Sequence, residues 1–228
     1  MKIRNTLLPA LCLLAPLALH AQSDRSHLRD SLAAATEALA YHPDSIDLRL
    51  RKAAWNVELE QWQYAKEEYD RVLRQDAANP AALYYRAFVN ERLHRYNFAR
   101  IDYEHLLEQL PTHFGARLGL ALLNQKDKHH TEALDGINQL VDAYPDSAIV
   151  WAARAGIEEQ QSLLDLAEYD YSKALELEPD NADYLLARAD IRIRLARFTE
   201  ARHDLDAIVK LGTPRVALRE WYDKIGRK

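Results

Sequence analysis

Tyr171–Ile191 reads YSKALELEPDNADYLLARADI, two helix-forming runs that meet at Pro179 and the turn-formers Asp180 and Asn181. Proline cannot continue the first helix, and the side-chain oxygens after it suit the free N–H groups that open the second. The same joint is written again as LRQDAANPAALYYRAFV at Leu73–Val89 and as VDAYPDSAIVWAARAGI at Val141–Ile157. A chain that repeats one helix–turn–helix joint is made of units that cannot bury their apolar faces alone and must stack on neighbours.

The period is 34 residues: Ala53 leads to Ala87, Ala121, Ala155 and Ala189, and Ala65 to Ala99, Ala133, Ala167 and Ala201. Small residues at two fixed points mark where the two helices of a unit cross. A larger side chain there would overpack the crossing by about 1–3 kcal/mol. Four residues after the second alanine stand Tyr69, Tyr103, Ile137, Tyr171 and Leu205, and three further on Val72, Leu106, Leu140, Ala174 and Ile208. Apolar residues at three- and four-residue intervals form the buried stripe of an amphipathic helix. Pro111, Pro145 and Pro179 close the middle three repeats.

Two small residues, an aromatic after the second and a closing proline resemble the tetratricopeptide repeat (TPR). The resemblance covers five units, 46–79, 80–113, 114–147, 148–181 and 182–215. It implies an all-α fold, a right-handed TPR α-solenoid of paired antiparallel helices, A and B. Residues 22–45 read as an N-terminal capping helix and 216–228 as a C-terminal one, since the ends of a stack need covers to stay soluble.

The first 21 residues read differently. Lys2 and Arg4 precede a short apolar core broken by Pro9 and Pro16, and Ala21 suits a cleavage site. That is the layout of a secretory signal peptide, too short to read as a membrane span. Its removal takes Cys12, the only cysteine, and shifts the formal charge from −5 to about −7. The expectation is a periplasmic or secreted chain with no stable membrane insertion. An acidic surface of this kind is poorly suited to nucleic acid.

Charges recur with the repeat. One residue before each first alanine stand Lys52, Arg86, Leu120, Arg154 and Arg188; sixteen residues later stand Glu68, Asp102, Gly136, Asp170 and Asp204. Every base is matched by an acid, and Leu by Gly, which reads as a structural ion pair tying helix A to helix B rather than as catalytic machinery. His94, His129 and His130 fall at turns without metal-ligand spacing, and no nucleophile elbow, phosphate loop or zincin helix occurs. No catalytic residue, metal or cofactor is expected.

The resemblance also implies a partner-binding concave face, built from fixed positions of each helix A. On this chain those positions give Tyr84, Phe88, Glu91 and Arg92, then Leu118, Leu122 and Gln125, then Ile149, and in the last unit Asp190. An apolar floor with a polar rim suits an apolar-faced peptide or helix. The carboxylate clamp of chaperone-binding TPR domains is absent: Leu50, Ala54, Tyr85, Gly115 and Gly119 occupy its positions. The expected role is an exported scaffold, an adaptor or assembly factor that binds a protein or peptide. The alternatives are a self-associating structural subunit of an envelope complex, forming a homo-oligomer, and more remotely an enzyme or metal-binding protein.

Overall fold

The computed structural model describes the backbone of residues 15–226 and the side chains of residues 26–226. Of the expected leader, residues 1–14 lie outside the described part. Twelve α-helices and one 3-10 turn make up the described chain: α1 Ala15–Tyr41, α2 Ile46–Glu58, α3 Trp62–Gln75, α4 Pro80–Arg92, α5 Tyr96–Gln109, α6 Phe114–Lys126, α7 His130–Ala143, α8 Ala148–Gln160, α9 Leu164–Leu177, α10 Ala182–Arg194, α11 Phe198–Lys210, a turn Arg215–Leu218, and α12 Arg219–Gly226. Helix α1 begins inside the expected leader, so cleavage after Ala21 would leave a helix from Gln22. Among the described residues no helix is long and apolar enough to cross a membrane.

The chain divides into two compact units, Met1–Gln109 and Leu110–Lys228. In the first, α1 packs on α2, and the pairs α2/α3 and α4/α5 stack through α3 and α4. The second is built of the pairs α6/α7, α8/α9 and α10/α11, with α12 closing its end against α10 and α11. Helices α2, α4, α6, α8 and α10 start at 34-residue steps, as do their partners. All ten periodic alanines are buried, none more than 2% exposed. Ala53 and Ala65 meet under Tyr69 and Val72 in the first unit, and Ala155 and Ala167 under Tyr171 in the second.

The helix starts follow the turn chemistry. Asn181 caps α10 by accepting from the N–H groups of Asp183 and Tyr184, and Asn79 caps α4 by accepting from that of Ala82. At α6 the cap is His113, whose Nδ1 accepts from Ala116 N–H at 3.1 Å. Ser147 stands at the N-cap of α8, but its hydroxyl accepts no capping bond.

Each helix A ends without glycine. Glu60, His94, Lys128, Ser162 and Ala196 all take φ between 56° and 63°. At each turn the left-handed residue donates its N–H three residues back, and the next residue donates five back, as Ala196→Ile193 and Arg197→Arg192 do. This is a Schellman closure, which satisfies the last carbonyls of the helix at the cost of a conformation that side chains disfavour.

Candidate functional site

Paired charges hold the walls on which a site would sit. Arg86 forks onto Asp102 with Nε and Nη2, Arg154 onto Asp170, and Arg188 onto Asp204, each linking helix A to helix B of one pair. Lys52 Nζ meets Glu68 at 3.0 Å, and Arg49 and Arg71 join on the same carboxylate. The remaining Nη1 of each arginine reaches the preceding pair: Arg86 to Asp70, Arg154 to Asn138, Arg188 to Ser172. These arginines therefore staple pair to pair as well as helix to helix, a role that the sixteen-residue spacing alone does not reveal. In α6/α7 the staple gives way to close approach. A Cβ on Gly136 would stand 3.4 Å from that of Ala121.

In the first unit Leu50, Ala54, Val57, Glu58, Tyr69, Ala81 and Tyr85 line an open groove of about 190 Å³ between α2 and α4. Tyr85 is exposed and stacks on the buried Tyr69, their rings 6.2 Å apart and nearly parallel. Phe88, 37% exposed, stands edge-on to Trp62, and Arg92 lies over the face of the same indole. Tyr84 is half-buried against Tyr85 and Tyr103. Glu91 accepts the Tyr103 hydroxyl at 2.8 Å, and burial, with Glu91 next, pushes that phenol far above its usual range. Tyr84 and Glu91 thus help hold α4 on α5, and Tyr85 is the more available aromatic. Tyr85 stands outside the helix-A positions that the repeat pattern assigns to the concave face. Its exposure depends on Tyr69 occupying the site beside it.

In the second unit a wider groove of about 340 Å³ runs between α8 and α10, lined by Leu122, Ile149, Gly156, Tyr171, Asp183 and Tyr184 among others. Ile149 is half-exposed on its wall. Gly156 omits a side chain where α8 faces the ring of Tyr171; a Cβ there would meet the Tyr171 hydroxyl at an unstrained 3.8 Å. That hydroxyl makes no hydrogen bond among the described residues. Burial, then the nearby Glu159, push it up to about 12, so it stays a neutral donor at the floor of the groove. Asp183 is exposed at the rim.

Three further expected contact residues are otherwise engaged. Leu118 lies in the core cluster of α6, α7 and α8. Gln125 is buried, donating to Gln160 and accepting from Gln161, with His130 at 2.9 Å from the same oxygen. Asp190 faces Lys224 of α12 at 3.7 Å. Leu118 and Gln125 pack the unit, and Asp190 meets the closing helix, so none of the three enters the site described here. His129 lies near Asp127 and Glu132 at a turn. Among the described residues no cluster of His, Cys, Asp and Glu suits a metal ion.

No protein-family model and no curated protein matches the sequence. Solved structures do match in fold. A tetratricopeptide repeat protein from Parabacteroides merdae ATCC 43184 superposes with a TM-score of 0.73 at 23% identity, over 90% of this chain and 80% of its own. PilW, a type IV pilus biogenesis factor, superposes at 0.70 and 20% identity, over 83% of this chain and 88% of its own. YrrB, a TPR protein with an unusual peptide-binding site, gives 0.56 and 17% identity, over 78% and 92%. At these identities the likeness establishes the fold: an all-α TPR solenoid of paired helices.

Proposed function

We propose that this chain is an exported, non-enzymatic scaffold that binds an apolar-faced protein segment in its helix-A grooves, as an adaptor or assembly factor. The observation that carries the reading is the groove between α8 and α10, whose apolar walls frame the Tyr171 phenol at the floor and an acid at the rim. Such a site can take an apolar anchor and orient it with a few polar bonds, which is how concave recognition sites gain specificity. The named roles of PilW in pilus biogenesis and of YrrB in peptide binding support an interaction role for the fold. Export rests on the signal-like residues 1–21, and sequencing the N-terminus of the secreted chain tests it, with Gln22 the expected first residue.

Gly156→Leu fills the groove of the second unit beside Tyr171, and Tyr85→Ala with Phe88→Ala strips that of the first. Affinity capture from an envelope extract should return a specific partner with the unaltered chain and lose it with one of these variants. A partner kept by both variants would overturn the groove reading. Leu163, just before α9, and Leu166 and Tyr169 on it stand exposed and favour, as the second reading, association with further copies. Light scattering of a concentrated sample decides it, because a strictly monomeric chain rejects self-assembly.

A further inference from the structure

Twelve residues ahead of two of the helix-B acids, helix A supplies a hydrogen-bond donor, whereas Asn56, at that place before Glu68, donates to the Lys52 carbonyl instead. Asn90 Nδ2 donates to Asp102 at 3.3 Å, and Arg192 Nη1 donates to Asp204 at 2.7 Å. At the same place ahead of Asp170 stands Glu158. Both carboxyls are buried, 6% and 1% exposed, and lie within hydrogen-bonding reach of each other. One cation serves them. Arg154 spends Nε and Nη2 on Asp170 at 2.5 and 2.9 Å and Nη1 on Asn138, leaving Glu158 Oε1 3.9 Å away. Glu158 Oε2 is buried with no hydrogen-bond partner.

Among the described residues, Arg154 is the one cation whose charge acts on the Glu158 carboxyl. Helix α7 contributes Asp142, whose charge acts on Arg154, and α6 meets the end of α8 through the uncharged Gln125. From α10, Arg188 is held by Asp204 and Ser172, and Arg192 by Glu168 and Asp204. A glutamate can fill the donor's place only by carrying a proton.

We propose that Glu158 and Asp170 share a proton that locks α8 to α9, so that mildly alkaline solution loosens this helix pair. With the proton, Glu158 donates to Asp170 as Asn90 does to Asp102; without it, two buried anions share one guanidinium. Burial, then the Asp170 charge, push the Glu158 carboxyl from an ordinary 4.5 up to about 7. The folded state therefore binds a proton that the unfolded chain has released. The stabilisation is complete below 4.5 and is lost as pH rises through about 7. Gly156, Ile157, Gln160 and Tyr171 flank the pair and line the α8–α10 groove. If that groove binds a partner, as proposed above, affinity falls with the same proton.

The test uses the full chain without any partner, so it stands or falls apart from the binding reading. A carbon-detected NMR titration follows the Glu158 carboxyl, while amide exchange and thermal unfolding are followed from about pH 5 to 8. The carboxyl is expected to titrate near neutrality, with α8 and α9 amides losing protection over the same range. Glu158→Gln, an amide donor like Asn90, should keep that protection and flatten the fall of Tm. Titration of Glu158 in the ordinary carboxylate range, or parallel Tm profiles for the two chains, would overturn the proposal. Where the variant fails to fold, the titration of the unaltered chain decides alone.

Discussion

Ala196 shows what one residue settles here. It holds φ at 59° in the turn between α10 and α11, and Glu60, His94, Lys128 and Ser162 do the same in the other pairs. A side chain in the left-handed region costs about 1–2 kcal/mol relative to glycine. Ala196→Gly is therefore expected to raise stability by about 1 kcal/mol, after the greater flexibility of glycine in the unfolded chain is set against the relief. Urea unfolding measures it, and an unchanged or lower midpoint would mean the turn is not strained. These turns were hard to read beforehand because the usual marker, glycine after the last helical residue, is missing from every one. The periodic alanines were legible for the opposite reason. A crossing that admits only a small side chain leaves the same letter at every repeat.

Among the helices, the caps differ in ways that composition conceals. Asn181 and Ser147 occupy the same N-cap position of α10 and α8, with the same extended backbone, yet only Asn181 accepts from the first-turn N–H groups. Asn181→Ala should cost about 1 kcal/mol, and Ser147→Ala close to nothing. Thermal unfolding of the two variants side by side reads the contrast, and equal losses would refute it. Helix pairing follows the same division. The base-to-acid spacing pointed to links between A and B within a pair. That Arg86, Arg154 and Arg188 also grip the preceding pair depends on Asp70, Asn138 and Ser172, which share no residue type.

At the scale of the molecule, a stack ends where its last apolar face is covered. Helix α12 and the turn before it supply that cover in the second unit: Leu218 and Ile225 are buried against α10 and α11, with Trp221 and Tyr222 packed beside them. Tyr222 donates to Asp206, and Arg215 lies over its ring at 4.1 Å. Ending the chain at Gly212 should cost about 3–6 kcal/mol from the two aliphatic side chains alone. The truncated chain is expected to unfold at lower denaturant and to aggregate, as an uncapped repeat array does. A truncated chain as stable and soluble as the whole would show that α12 is dispensable.

The 34-residue period, the ten alanines and the closing prolines were enough to settle the all-α paired-helix fold. Helix formation and helix crossing are set by residue size and spacing along one short segment. The site was only half legible for a physical reason of another kind. Whether a helix-A side chain is free depends on what a different helix puts beside it. Gln125 is consumed by Gln160 and Gln161, Glu91 by Tyr103 and Asp190 by Lys224, whereas Gly156 opens a groove only because Tyr171 lies opposite. Glu158 is singled out only by the packing that sets it against Asp170. Period and residue size belong to the chain; exposure, pairing and protonation belong to the packed molecule.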